Sequence, residues 1–387
     1  MRTPRLIAFV MLLVCAQAAF AQEAPRDAED FYNRGLDRQT AGDLDGALAD
    51  YDEAVRRDPK LAQAYLNRAN VRLAKGDAQG AFADYTKVIE LNPRDFMGYY
   101  NRGVAHINSG NYEAAAADFD AAQRLNPGAA MIYVNRGFAR QLKGDYEAAL
   151  ADYNRAIELA PQLSMAYNNR GSLHQARGAL DAALADFNRA VELAPGFARA
   201  LLNRGVVRGA RADHAGAIAD LTRAVELAPE DAEAYYHRGT SHQALGDFDR
   251  ALADFDRAIA LDPQSHGYYV QRGVARQAKK DLAGALADFD KAVELNPGDA
   301  LAYVNRGLLR QERGLADEAL RDFTQAIALD PASAPAYANR GIIRLQKGLD
   351  AQAEQDFAEA IRLDPSLKAS LEKYLAEMRK RGAKPRQ

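Results

Sequence analysis

Asparagine recurs at intervals of 34 residues along this chain, at Asn33, Asn67, Asn101, Asn135, Asn169, Asn203, Asn305 and Asn339, with His237 and Gln271 in the two remaining places. A side-chain amide offers one acceptor oxygen and two donor protons, so a row of them can pair with the backbone of an extended peptide whatever side chains that peptide carries. The same amides could instead tie successive units of the chain together. A second amide row, Gln39, Gln141, Gln175, Gln243, Gln277 and Gln311, keeps the same interval. Met97, Met131 and Met165 hold equivalent places in three consecutive units, beside Tyr100, Val104, Ile107, Val134 and Phe138. A flexible thioether adapts to varied apolar partners, so an expected side-chain pocket falls in this stretch; packing between units is the other use for these residues.

Charge follows the same beat. Arginine recurs ten times, from Arg34 to Arg340, and a second basic residue follows four places later, histidine at His106, His174 and His242 and arginine elsewhere. Ten aspartates, from Asp50 to Asp356, answer them. The match predicts an ion-pair ladder that holds register within each unit. A partly buried arginine stripped of its carboxylate costs about 3 to 5 kcal/mol, whereas solvated surface pairs would be worth under about 1 kcal/mol each.

Nothing here points to catalysis or a cofactor. There is no phosphate-binding glycine loop and no nucleophile elbow. His106, His174 and His242 stand in alternate units, too far apart at about 10 Å per packed helix to share a metal, and His237 and His242, five apart, turn to different helix faces. The one cysteine, Cys15, lies near the N-terminus, so the rest of the chain has neither disulfide nor thiolate site. Lys and Arg (50) nearly balance Asp and Glu (53), which leaves no electrostatic case for nucleic acid.

The elements that position these rows are legible in residues 130–163. One amphipathic stretch runs from about Met131 to Lys143, and Gly144 ends it because glycine takes the left-handed conformation without penalty. Asp145 can cap a second helix, about Tyr146 to Leu159, which stops before Pro161. Eight of ten units keep the turn glycine; Ala212 and Lys280 replace it. Small residues such as Gly35, Gly103 and Gly137, with an alanine from Ala47 to Ala353 in every unit, allow close helix approach. Two aromatic sets, Phe31 to Tyr337 and Tyr51 to Phe357, are expected to fill the core between them. Unit six departs most, with Leu201 and Leu221 for rings, Gly209 inside its first helix and Ala212 at its turn, and is expected to open most easily.

A 34-residue period with aromatic, glycine, alanine, aromatic, alanine and proline landmarks over residues 28–367 closely resembles the tetratricopeptide repeat family. The resemblance implies an all-α solenoid of about ten helix-turn-helix units wound into a right-handed superhelix, whose inner face, lined by the first helices, grips extended peptides or partner helices. It also implies that the asparagine row faces that groove. Departures are regular: tyrosine, phenylalanine or Leu201 stands where the family has tryptophan, and the arginine row stands where it has leucine. The implied role is a non-enzymatic scaffold with a protein or peptide partner. The alternatives are a structural solenoid that associates with itself and a regulatory subunit of an envelope enzyme complex, whose chemistry would reside on another polypeptide.

Residues 1–21, with Arg2 and Arg5 ahead of the apolar run Leu6 to Val14 and Ala19 and Ala21 flanking Phe20, read as an export signal cleaved after Ala21. Loss of its two arginines moves the formal charge from -3 to -5 (48 basic against 53 acidic residues). A periplasmic or secreted location is expected, without stable membrane insertion, since no later stretch is apolar for long enough. Residues 22–27 are expected to be loose, 366–381 to form an amphipathic capping helix, and 382–387 to be a basic disordered tail.

Overall fold

The computed structural model describes residues 27–382, with backbone only for 378–382. Residues 1–21, 22–26 and 383–387, which hold the expected export signal and most of the segments expected to be loose, lie outside the described residues; Asp27, at the end of the segment expected to be loose, instead caps α1 by accepting from the Asp30 amide, and Gly382, at the start of the expected tail, closes α21. Two compact units divide the chain between Asp152 and Tyr153. The first holds α1 (Ala28–Thr40), α2 (Leu44–Arg57), α3 (Ala62–Ala74), α4 (Ala78–Leu91), α5 (Phe96–Asn108), α6 (Tyr112–Leu125) and α7 (Ala130–Lys143). Helix α8 (Tyr146–Leu159) contains the boundary. The second holds α9 (Ser164–Ala176), α10 (Leu180–Leu193), α11 (Ala198–Ala210), α12 (His214–Leu227), α13 (Ala232–Ala244), α14 (Phe248–Leu261), α15 (His266–Ala278), α16 (Leu282–Leu295), α17 (Ala300–Glu312), α18 (Ala316–Leu329), α19 (Ala334–Gln346) and α20 (Asp350–Leu363). No strand occurs among the described residues.

Each repeat is a helical hairpin closed by one left-handed residue. Gly144 has φ 89°, and the two replacements keep that geometry against their side chains, Ala212 at φ 63° and Lys280 at φ 67°. An acidic or amide side chain then starts many second helices: Asp43 accepts from the Gly46 amide, Asn111 from Ala114 and Asp281 from Gly284, each supplying a partner to an otherwise orphaned N–H.

Within a hairpin the ring of the second helix lies on the glycine of the first. A Cβ added to Gly35 would stand 2.6 Å from the Tyr51 ring, and one added to Gly273 would stand 2.7 Å from Phe289. Tyr51, Phe119, Phe187, Phe289 and the periodic alanines are fully buried. The other aromatic set behaves differently. Only Tyr133 and Tyr269 of it are buried, while Phe31, Tyr65, Tyr99, Tyr167, Tyr235, Tyr303 and Tyr337 are half-buried. Each has an arginine guanidinium over its ring, as Arg306 over Tyr303 at 5.2 Å. The buried Tyr133 and Tyr269 have the same contact, from Arg136 and Arg272, so the guanidinium pairs with the ring face without setting how exposed the ring is.

Within each unit the first helices of neighbouring repeats also touch, α1 with α3 and α5 with α7 in one, α11 with α13 and α15 with α17 in the other. The first-helix rows therefore run side by side. After α20, a short 3-10 turn (Pro365–Leu367), started by Asp364 accepting from the Ser366 amide, leads to α21 (Lys368–Gly382). Leu371 is buried against the cluster of Phe357 and Ala360, with Leu367 and Leu375 partly buried beside it. The capping helix is thus present, two residues later than the sequence pattern suggests. No helix among the described residues is long and apolar enough to cross a membrane.

Candidate functional site

Beneath the first-helix surface, the charged ladder sets what each helix presents. Every aspartate from Asp50 to Asp356 is buried, and each takes a two-point grip from the arginine sixteen residues before it. In repeat eight Asp288 accepts from Arg272 Nε at 3.1 Å and Nη2 at 2.6 Å, and from Arg276 Nη1 at 2.8 Å. The same Arg272 reaches back to Asp256 of the preceding repeat at 2.7 Å. Arg68 with Asp52, Arg136 with Asp120 and Arg306 with Asp290 repeat that reach, so the ladder joins neighbours as well as hairpins. Where histidine replaces the second arginine the grip loosens: His106 and His174 stand 3.8 Å from Asp118 and Asp186. Burial pushes the His106 and His242 imidazoles below their ordinary pKa, against the pull of Asp118 and Asp254.

The asparagine row emerges beside this ladder. Asn33 is exposed, and Asn67, Asn101, Asn135, Asn169, Asn203, Asn305 and Asn339 are half-buried, none sealed in the core. Several use a donor proton on the repeat before: Asn67 donates to the Tyr32 hydroxyl at 3.2 Å, Asn135 to Tyr100 at 2.8 Å and Asn203 to Asn168 at 2.9 Å. Asn169 accepts from Asn168, and Asn339 donates to the Pro335 carbonyl. Tying neighbours together, the other use the sequence left open for this row, is therefore part of what it does. The Tyr100 hydroxyl, held in that bond, has its pKa raised by burial.

The glutamine row lies alongside. Gln39 accepts from the Tyr51 hydroxyl at 2.7 Å, Gln243 donates to Gln271 at 3.2 Å and Gln277 to Glu312 at 2.9 Å. Gln243 Oε1 and Gln311 Oε1 are buried without a hydrogen-bond partner, and so is His214 Nδ1. Such atoms are costly to leave unmet, about 1 to 3 kcal/mol each.

Of the apolar candidates, Met97 and Met131 are half-buried in the first unit together with Tyr100 and the exposed Phe138, while Met165 is exposed in the second. Tyr100 meets Phe119 edge-on at 5.9 Å. The most enclosed of the described cavities lies at repeats six and seven, where Gly209, His214 and His237 come together. The sequence signal for it was Gly209, which reads by itself only as a helix weakness. Among the described residues no three His, Cys, Asp or Glu side chains gather to hold a metal ion.

Comparison with known families matches the tetratricopeptide repeat description repeatedly: one model over 32–96, 168–232 and 304–367, and others over 96–129, 128–196, 232–265 and 266–299. Among solved structures, a tetratricopeptide repeat protein from Parabacteroides merdae is similar at 21% identity and a TM-score of 0.53, over 64% of this chain and 98% of that one. A chain of the APC/C hetero-tetramer Cut9-Hcn1 is similar at 14% identity and a TM-score of 0.51, over 89% of this chain and 96% of that one. Both likenesses concern the fold. A search of curated proteins finds no match.

Proposed function

The chain belongs to the tetratricopeptide repeat family, a scaffold fold typical of protein–protein interaction, and we propose that it is a non-catalytic scaffold holding an extended segment of a partner protein along its first helices, outside the cytoplasm. The observation that carries this reading is the pair of amide rows, half-exposed and incompletely bonded, with Gln243 Oε1 and Gln311 Oε1 buried and unmet. An extended backbone supplies N–H donors at regular spacing, and recognition through backbone groups gives affinity with little demand on sequence. Selectivity then rests on the residues that differ between repeats. The export signal read in residues 1–21 supports the location; mass spectrometry of protein from the envelope fraction should find Gln22 at the N-terminus, and an intact Met1 there would refute it.

Two asparagines separate recognition from architecture. Asn305 makes no side-chain hydrogen bond among the described residues, whereas Asn203 bonds Asn168 of the repeat before. With peptides selected from a random-sequence display library as probes, Asn305→Ala should weaken binding several-fold, about 0.5 to 1.5 kcal/mol for a lost hydrogen bond, and leave the melting curve in place. Asn203→Ala should lower the melting curve. Peptide binding indifferent to alanine throughout the row would remove the amides from recognition. Failure to select any peptide, together with concentration-dependent oligomers in light scattering, would favour a self-associating solenoid, for which Leu301, 58% exposed in repeat nine, is an available contact.

A further inference from the structure

Between α11 and α13 lies a cavity of about 340 Å³. Its walls include Val206 and Gly209 of α11, His214 at the start of α12, and His237, Thr240 and Ser241 of α13. At the place of Gly209 the nine other repeats carry a longer side chain, glutamine in six of them and Leu73, Ile107 or Leu345 in the rest. Packing does not demand the glycine: a Cβ there would meet nothing closer than Ser241 Oγ at 3.5 Å and Ala217 Cβ at 3.8 Å. The backbone does not demand it either, since Gly209 is not among the glycines with positive φ.

Repeat seven displays the filled version of the same place. There Gln243 donates its amide to Gln271, 28 residues on, at 3.2 Å. Residues 209 and 237 stand in that relation one repeat earlier, with the donor side chain missing and an imidazole in the acceptor's place. His237 makes no side-chain hydrogen bond among the described residues; the Tyr236 ring meets it edge-on at 5.0 Å, and Glu233 and Asp231 act on it electrostatically from outside the cavity lining. Burial holds its pKa down, so one ring nitrogen is an acceptor at neutral pH. Thr240 and Ser241 both donate their hydroxyl protons to the His237 carbonyl, at 2.8 and 3.0 Å, which leaves lone pairs for any visitor. His214 Nδ1 is buried and unmet.

We propose that this cavity receives the carboxamide side chain of a glutamine from the bound segment, which takes the place of the glutamine that repeat six lacks. Its NH₂ donates to the His237 ring nitrogen and to Ser241 Oγ, and its carbonyl accepts from His214 Nδ1–H. A lysine would carry its charge into a cavity with no carboxylate in its lining, and a glutamate would face lone pairs; either leaves a buried charge without a partner. A leucine fits the walls but leaves His214 and His237 unmet. The assignment rests on the reading that an extended segment lies along the first helices.

Random-sequence peptides displayed on phage and selected on the full chain test it, with Gly209→Gln and Gly209→Ala as comparison proteins. Peptides selected on the unaltered chain should share a glutamine at one position, and replacing it by leucine, lysine or glutamate should weaken binding at least tenfold. Gly209→Gln, which fills the cavity with the residue six repeats already carry, should weaken the same peptides at least tenfold and melt no lower than the parent. Gly209→Ala adds one methyl group where there is room and should keep most of the affinity. Selected peptides without the shared glutamine, or with equal affinity for Gly209→Gln, would overturn the cavity assignment while leaving the scaffold intact. No peptide selected on any of the proteins would overturn both.

Discussion

Replacing Asp288 by asparagine keeps the shape of the side chain and removes its charge, and the surroundings say what that costs. Asp288 is 2% exposed, and its two oxygens take hydrogen bonds from two guanidiniums, Arg272 and Arg276. Stranding partly buried cations in this way costs about 3 to 5 kcal/mol. Repeat seven supplies the internal control. Asp254 is also buried, but its grip comes from Arg238 alone, at 2.9 and 2.6 Å, because His242 occupies the second place and burial keeps it neutral. One charged donor fewer is stranded by Asp254→Asn. A hydrogen bond to a charged group is worth about 1.5 to 3 kcal/mol, reduced here because Arg276 is partly exposed and has Asp281 at 3.9 Å to turn to. Arg272 keeps its bond to Asp256 at 2.7 Å when Asp288 is neutralised, while Arg238 has only the Thr222 hydroxyl at 3.4 Å, so the difference narrows and Asp254→Asn should cost about 1 kcal/mol less than Asp288→Asn.

Stacked repeats need not unfold in one step, so a melting curve shows whether a variant is destabilised but does not give the cost at one hairpin. Amide hydrogen exchange resolved to α13–α16 reports each hairpin separately. At a factor of ten per 1.4 kcal/mol, Asp288→Asn should lower protection in α15 and α16 by roughly a hundred- to several-thousand-fold. Asp254→Asn should lower it in α13 and α14 by a factor about five smaller. Losses below about fivefold in both would mean that the ladder is worth no more than solvated surface pairs. An equal or larger loss for Asp254→Asn would refute the account of the second cation.

The turns and the histidines offer two further tests. Ala212→Gly and Lys280→Gly relieve side chains held at φ 63° and 67° and should each stabilise the chain by about 1 kcal/mol in urea titration, whereas no gain would show that these backbones are unstrained. Burial holds His106, His237 and His242 below their ordinary pKa, so below about pH 6.5 the unfolded chain binds more protons than the folded one. Stability is therefore full above that pH and falls as the solution is acidified towards about pH 5. His106→Arg with His242→Arg, which supply the second guanidinium that other repeats have, should flatten that slope in urea midpoints, and an unchanged slope would move its origin elsewhere.

What the sequence made legible is what each repeat must do to stack. The left-handed turn and the aspartate under two basic residues recur in every unit, and the glycine under the ring in all but repeats two and six, where Ala69 and Leu221 stand, because they depend on contacts inside a hairpin or with its neighbour and so stand out as a period. Less legible were features set by what the adjoining repeat happens to hold. Whether an asparagine ties repeats together turns on whether a partner such as Tyr32, Tyr100 or Asn168 lies one helix away. Rings such as Tyr65 and Tyr303 are half-exposed and lie under guanidiniums that the spacing had assigned only to ion pairing.

Least legible was a vacancy. Gly209 breaks the glutamine row, but what it opens is defined by His214 on the next helix and His237 on the one after. A residue type that nine repeats do without cannot be required for stacking, so its presence in the tenth needs another reason. Gly209 meets that condition, and so does Tyr268, buried 5.0 Å from Tyr236 where equivalent positions carry alanine, glycine, isoleucine or, in repeat one, Asp30. Both fall in repeats six to eight, and His237 lies between them in the chain. On the proposed scaffold reading, such departures are where discrimination between partners would reside, because the shared residues present the same groups in every repeat.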